Sequence, residues 1–467
     1  MANDNSEAPK RLEHGKFKTM VVCWILGLGC LFSWNSLLTI EDYYYSLFPR
    51  YHPSRVLTLV YQPFALATTA VLTYKEAKIN TRLRNLIGYA LFFASTLSLL
   101  VLDLATSGKG GVGPYIGICV IVCFIGVASA NVQGGMMGEL SFMPPELIQS
   151  FLAGWAAAGT LTSVLRLLTK AAFEKSDNGL RKGALLFLAI STFITFLCFI
   201  LYALYFPSLP IVVYYRSKAA SEGSKTVSSD LAAAGIQVEA NQEVEGNATP
   251  QQRLSIKQLF FQNVDYALDL FLIYAMTLSI FPGFIFENTG AHQLGSWYPL
   301  VLITMFNAWD FIARYIPLVQ CLKIESRKGL MIAVLSSFLL IPAFYFTAKY
   351  GDQGWMIILT SFLGISNGYL TVCVLTTAPK GYKGPEQNAL GNMLVLCLRT
   401  GIFAGVSLDW LWLIGTNGWT KLHSRFRVAE RATKPQLQSF QRCTDGVLGD
   451  GGVNFLEPMS YERVLRL

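Results

Sequence analysis

Charge is scarce in this sequence: Asp, Glu, Lys and Arg make up 14% of its 467 residues, against 53% hydrophobic ones. A soluble domain is nearer a quarter charged, so a water-soluble enzyme with a small anchor, a disordered chain and a collagen are all excluded. Histidine is scarcer still, with four residues, all outside the long apolar runs. Any proton relay inside those runs would therefore have to use carboxylates. The nine cysteines are odd in number and mostly sit within apolar runs, which excludes a secreted disulfide scaffold. Catalytic signatures are missing too: there is no H-E-x-x-H, no G-x-S-x-G and no metal-ligand cluster. Ser107-Gly-Lys-Gly-Gly-Val-Gly113 starts like a phosphate-binding loop, but Pro114 and Tyr115 stand where Lys and Ser/Thr are required, so it reads as a turn. No enzymatic activity, cofactor or metal is expected.

What the chain has instead is long apolar runs. A helical crossing of a bilayer takes about 20 apolar residues. By that measure spans are expected at 19–40, 54–74, 86–106, 113–138, 147–169, 183–207, 263–288, 297–320, 329–348, 354–378 and 388–414. The first is longer than the core of a signal peptide, lacks a small-residue cleavage site and is followed by further spans. The expected fold is an all-α integral membrane protein with eleven transmembrane helices, arranged 6 + 5. Its parts are an N-terminal tail (1–18), a six-helix bundle (19–207), a connecting loop (208–262), a five-helix bundle (263–414) and an atypical tail (415–467). Two bundles rocking about a central cavity is a common transporter plan.

The net charge of +8 acquires meaning only with orientation, and the partner it implies is the lipid bilayer, not nucleic acid. With the N-terminus cytoplasmic, the inner connections carry eighteen Lys and Arg and the outer ones fewer than half as many. That bias predicts a cytoplasmic start and, after eleven crossings, an extracellular C-terminus. One connection dissents: 170–182 places Lys170, Lys175, Arg181 and Lys182 on the outer side. The 208–262 loop, rich in Ser, Ala and Gln, reads as a mobile tether, and the net-basic tail as a disordered extension.

Charges inside the spans are the informative residues. Asp310 and Arg314 lie four apart in the eighth span, and with about 100° per residue they share a face with Asn307 to within about 60°. A lone charge at such depth costs about 2.5–3.5 kcal/mol on insertion scales, which an i,i+4 pair offsets in part. An acceptor and a donor on a wet face suit a ligand with hydroxyls, a sugar ring above all; a structural ion pair between helices is the alternative. Gln133 in the fourth span can donate and accept at once, as reading a heterocycle edge requires, or it can bond another helix. Gly134, Gly135, Gly138, Gly154 and Gly159 suit close helix packing. Trp34 at the outer end of the first span reads more readily as an interfacial anchor than as a stacking platform. Asp103, Glu139, Asp265 and Asp269, near span ends, are weak proton-site candidates. Arg399, on one face of the last span with Asn388 and Asn392, either lines a cavity or marks a run that inserts poorly.

Together these residues resemble the equilibrative nucleoside transporter family. The resemblance rests on Trp34-Asn35, Gln133, the run Phe306-Asn307-Ala308-Trp309-Asp310-Phe311-Ile312-Ala313-Arg314, and Pro385-Glu386-Gln387-Asn388-Ala389-Leu390-Gly391-Asn392. Tyr74-Lys75-Glu76-Ala77-Lys78 and Phe151-Leu152-Ala153-Gly154 are similar to its plant branch. The resemblance implies a bundle like that of the major facilitator superfamily, moving nucleosides such as adenosine or uridine, and in some members nucleobases, by alternating access across the plasma membrane. It implies that Trp34 and Gln133 form the base end of the cavity and that Asp310 and Arg314 engage the ribose, with Asn307 a helper. Proton coupling and simple equilibration stay equally open. Arg399, Thr400 and the tail depart from the family pattern. A carrier of another polar solute, such as a sugar or organic ion, and a non-transporting receptor or scaffold are the competing readings.

Overall fold

A computed structural model describes residues 4–49, 51, 53–173, 178–233, 254–281, 297–350, 353–382 and 384–415. Contacts group residues 1–409 into one compact unit, which holds every site residue discussed below; the last residues of the final helix fall outside it. The tail expected to be disordered lies outside the described residues from 416 onward.

The described chain is helical: α1 (Asp4–Thr39), the short α2 (Glu41–Leu47), α3 (Pro53–Tyr74), α4 (Thr81–Thr106), α5 (Val112–Ser141), α6 (Pro145–Phe173) and α7 (Gly179–Ile200). Then follow α8 (Pro210–Ala233), α9 (Ile256–Gln262), α10 (Val264–Ile280), α11 (Tyr298–Ala313), α12 (Arg327–Ser337), α13 (Leu340–Tyr350), α14 (Gln353–Thr377) and α15 (Gly384–Gly415). Local chemistry sets the ends. Proline, which lacks a backbone donor, opens α3, α6 and α8. The Asn80 side chain caps α4 by accepting from the Leu83 amide, and Ser255 and Gln258 form a capping box on α9.

Among the described residues nine stretches are long and apolar enough to cross a membrane, or ten if the bent pair α9–α10 counts as one. The difference from the expected eleven lies in the seventh and eighth spans; the ninth is broken but still counts as one. The seventh span is bent by 73° at Asn263, whose side chain donates to the Leu259 carbonyl and to the Tyr382 hydroxyl. In the ninth, the break between α12 and α13 falls four residues before Pro342, where the missing donor and the ring disrupt a helix. The eighth, α11, has 16 residues, about 24 Å of helix against a hydrocarbon core of about 30 Å. It stops at Ala313, four residues before Pro317, for the same reason.

Helix α6 is central, packing on α1, α11 and α14, while α4 lies against α5 and α7 and α3 against α5. The α1–α6 contact is backbone on backbone: a Cβ at Gly27 would run into the Phe151 carbonyl, and one at Gly154 into the Trp24 carbonyl. The packing reading of the glycine-rich stretches therefore holds, with Gly135 against Asn85, Gly138 against Asn388 and Gly159 against Asn307.

The 208–262 connection is not a tether throughout. Its first part is α8, which buries Ile211 and Val212 and sets Arg216 against Glu139 of α5. Glu139 also accepts from Asn85 Nδ2 at 3.1 Å and from the Tyr202 hydroxyl at 3.0 Å, with Tyr202 in a π-helical turn (Leu201–Tyr205) that prolongs α7. A charge count over the whole stretch hides this short apolar start. We expect Arg216→Ala to free α8, seen as faster limited proteolysis after residue 210 with the other helices still protected; unchanged cleavage would show that Arg216 does not hold it.

Candidate functional site

Arg314 follows the last residue of α11, and each of its guanidinium nitrogens has an acceptor. Nε donates to Asp310 Oδ2 at 3.1 Å, Nη2 to Asp310 Oδ1 at 3.4 Å and Nη1 to the Leu152 carbonyl of α6 at 2.8 Å. Gln149 of α6 donates to the Arg314 carbonyl at 2.8 Å. On the other side, Asn367 of α14 donates to Asp310 Oδ1 at 2.8 Å, and Thr277 of α10 donates to Asn367 at 3.3 Å. Asp310 is 5% exposed and Arg314 4%. A buried ion pair is tolerated when its remaining protons and lone pairs are bonded, and here they are nearly all used. A carboxylate has about four acceptor positions, so three donors leave room for one more, such as a ligand hydroxyl. Asn307, one turn earlier, reaches α6: its amide donates to Ser163 at 2.8 Å, and Thr160 donates to its carbonyl at 2.9 Å.

Trp34 belongs to a second group. Its ring stacks on Tyr61 of α3, with centroids 4.0 Å apart and planes 15° from parallel, and it is 9% exposed. An interfacial anchor would keep its indole near water, so that expectation is overturned; position near a span end fixes depth, not which way the ring points. The Tyr61 hydroxyl donates to Ser129 Oγ of α5 at 2.8 Å, and Arg399 Nη2 donates to the same oxygen at 2.7 Å. Gln133, about one turn along α5, is buried beside the Cys30 thiol of α1. No hydrogen bond or ring contact among the described residues joins this group to Asp310 and Arg314.

The face of α15 carrying Asn388, Asn392 and Arg399 is pressed against the earlier helices. Asn388 donates to Glu76. Arg84 of α4 donates to Asn392 Oδ1 at 2.6 Å and to the Ala130 carbonyl at 3.1 Å. With Arg399 on Ser129, three polar rungs join α15 to the α3–α4 connection, α4 and α5. Arg399 is thus accommodated by a hydroxyl, although its Nε has no hydrogen-bond partner among the described residues.

Of the four carboxylates near span ends, Asp103 bonds Arg181 and Tyr43, Glu139 is held as described, and Asp265 pairs with Arg327 at 3.2 Å. Both carboxylate oxygens of Asp269 are buried without a hydrogen-bond partner among the described residues. Sequence reasoning missed Tyr61, Arg84, Gln149 and Asn367. Arg84 had a signal: Asn80 is a strong N-cap residue, which moves Arg84 out of the connection and into the first turn of α4. The neutral amides Gln149 and Asn367 had none.

Residues 119–414 match the family model described as nucleoside transporter. The chain is 67% identical to equilibrative nucleotide transporter 3 of Arabidopsis thaliana over 410 residues, covering 88% of this chain and 97% of that protein. It is 65% identical to equilibrative nucleotide transporter 6 of the same plant, again covering 88% and 97%. Its fold is similar to the solved structure of the major facilitator superfamily proton:xylose symporter XylE, with a TM-score of 0.59 at 12% identity, over 87% of this chain and 90% of that one.

Proposed function

This chain belongs to the nucleoside transporter family, and on that footing we propose that it carries nucleosides across the plasma membrane by alternating access, with Asp310 at the ribose and Trp34 at the base. The observation that carries the reading is the ion pair of α11, bonded on one side to α6 and on the other to α14. A side chain shared between early and late helices changes its surroundings whenever those helices part. Asp310 then has an acceptor position for a ribose hydroxyl, Arg314 holds the carboxylate in place, and Asn307 adds a neutral amide on the same stretch of helix. At the other end the Trp34–Tyr61 stack offers an aromatic face and Gln133 a donor–acceptor pair for the heterocycle edge. No single facing can hold the substrate much more tightly than the other, or turnover stops.

In this reading the bent α9–α10 and the short α11 each count as a crossing, which makes eleven, six before α8 and five after it. The N-terminus is cytoplasmic and the C-terminus extracellular. The family description names nucleosides and the relatives' names nucleotides, so both belong in the test, along with nucleobases. A coupled proton would fall to Asp269, whose carboxylate has no hydrogen-bond partner among the described residues.

Uptake of labelled adenosine and uridine into expressing cells at two external pH values tests the proposal. We expect saturable uptake in which each nucleoside competes with the other and glucose does not. Trp34→Ala should raise KM at least about fivefold with the protein still at the surface, since a lost aromatic contact is worth about 1–3 kcal/mol. Competition by glucose, or binding without accumulation, would favour a sugar carrier or a receptor.

A further inference from the structure

The Trp34–Tyr61 stack has a backbone that is fixed and a ring that needs holding. Helices α3 and α5 touch at Tyr61: a Cβ at Gly126 would lie 2.8 Å from the Tyr61 carbonyl. One turn beyond Gly126, Ser129 comes opposite the Tyr61 side chain and accepts from its hydroxyl at 2.8 Å. Two residues after Tyr61, Pro63 lies inside α3 and has no N–H for the Leu59 carbonyl, which softens the turn that carries Tyr61. A tyrosine ring also turns about two side-chain bonds. Its near-parallel stack on Trp34, with 15° between the planes, therefore depends on where its hydroxyl end is held.

Arg399 of α15 completes that hold. Its Nη2 donates to the same Ser129 oxygen at 2.7 Å, and the guanidinium lies close enough to the Tyr61 hydroxyl to interact with it directly. A serine hydroxyl has two acceptor positions, and these two donors fill both. The cation is 3% exposed, and its Nε has no hydrogen-bond partner among the described residues. A charge at such depth is costly, and an apolar residue would serve helix packing at less cost, so a buried cation in a span calls for a functional account.

We propose that Arg399 is a positioning residue for base recognition: through Ser129 it holds the Tyr61 ring against Trp34, and the strength with which the site prefers an aromatic base depends on it. The inference rests on the carrier reading above, which puts the base at Trp34. It also makes the last helix a party to base binding. Trp34, Tyr61 and Ser129 come from α1, α3 and α5, whereas Arg399 comes from α15, so the stack is fully held only while α15 lies against α5.

The test compares uridine with dihydrouridine, which keeps the ribose, both carbonyls and the ring N–H but has lost the aromatic face. Each competes against labelled uridine, in uptake by expressing cells and in binding to purified full-length protein. Wild type should prefer uridine at least about fivefold, the change that one aromatic contact carries. Arg399→Leu should lower that preference at least about threefold, by weakening uridine while dihydrouridine changes little. One donor suffices at Ser129, so Arg399→Lys should keep the preference, and Ser129→Ala should lower it as Arg399→Leu does. A purely structural role would change the amount of folded protein, or weaken both ligands alike, without moving the ratio. Where Arg399→Leu yields no folded protein, Ser129→Ala, which removes an oxygen and no charge, decides. An unchanged ratio in the folded variant, equal weakening of both ligands, or a wild type that does not distinguish them overturns the inference. Uridine uptake with an unchanged ratio sinks this inference alone, whereas a ratio that falls in the binding measurement, with no uptake by wild type, sinks only the carrier reading.

Discussion

Asp310→Ala abolishes nucleoside uptake and lowers thermal stability, whereas Asp310→Asn combined with Arg314→Gln recovers the stability and leaves uptake absent. The first half follows from burial: without the carboxylate, Arg314 is a buried cation with one backbone acceptor, and the Asn367 N–H loses its acceptor. Breaking a buried pair from one side costs about 3–5 kcal/mol. The second half separates structure from transport. The double substitution removes both charges and keeps a neutral hydrogen-bonding pair in their place, so a pair that only locks helices would be replaced with much smaller loss. Uptake by fluorescently tagged variants, normalised to surface protein, together with melting curves, checks both. Normal uptake by a well-expressed Asp310→Ala protein, or recovery in the double variant, would reduce the pair to a structural lock.

Gly27→Val leaves only a small fraction of the protein assembled. The α1 and α6 backbones touch at Gly27 and Gly154, and a side chain at either must push a carbonyl aside along two long helices. Backbone cannot yield as a flexible side chain does, and overpacking in close-packed regions costs about 1–3 kcal/mol even where side chains can shift. Here the cost should exceed that range, so folded protein recovered by size-exclusion chromatography should fall at least about tenfold. Gly113→Ala, a position with nothing within 4 Å of a Cβ, serves as the control and should leave yield unchanged.

The residues legible in the sequence were those that violate its apolar background. Asp310 and Arg314 stand out because charge is costly in a span, and their spacing alone places them on one helix face. Asn388, Asn392 and Arg399 were likewise placed on one face by helical period, and all three meet the earlier helices. What covers such a face is a long-range fact. Asn367 and Asp310 are brought together by α14 lying against α11, and neither local sequence carries a trace of the other. The early stop of α11 had a local cause in Pro317, which a count of apolar residues passes over. The start of α8 was hidden the same way, by averaging a few apolar residues with a long polar stretch.

The three rungs of α15 stand at different heights. At about 1.5 Å per residue, Asn388 and Arg399 are about 16 Å apart along the axis. If α15 tilts as a rigid lever about one end of this ladder, displacement grows with distance from the pivot. A swing of about 10° then moves the far rung by about 3 Å, enough to break its hydrogen bond while the near one holds. The joint can therefore unzip in sequence, and no step of its opening has to break all three rungs at once.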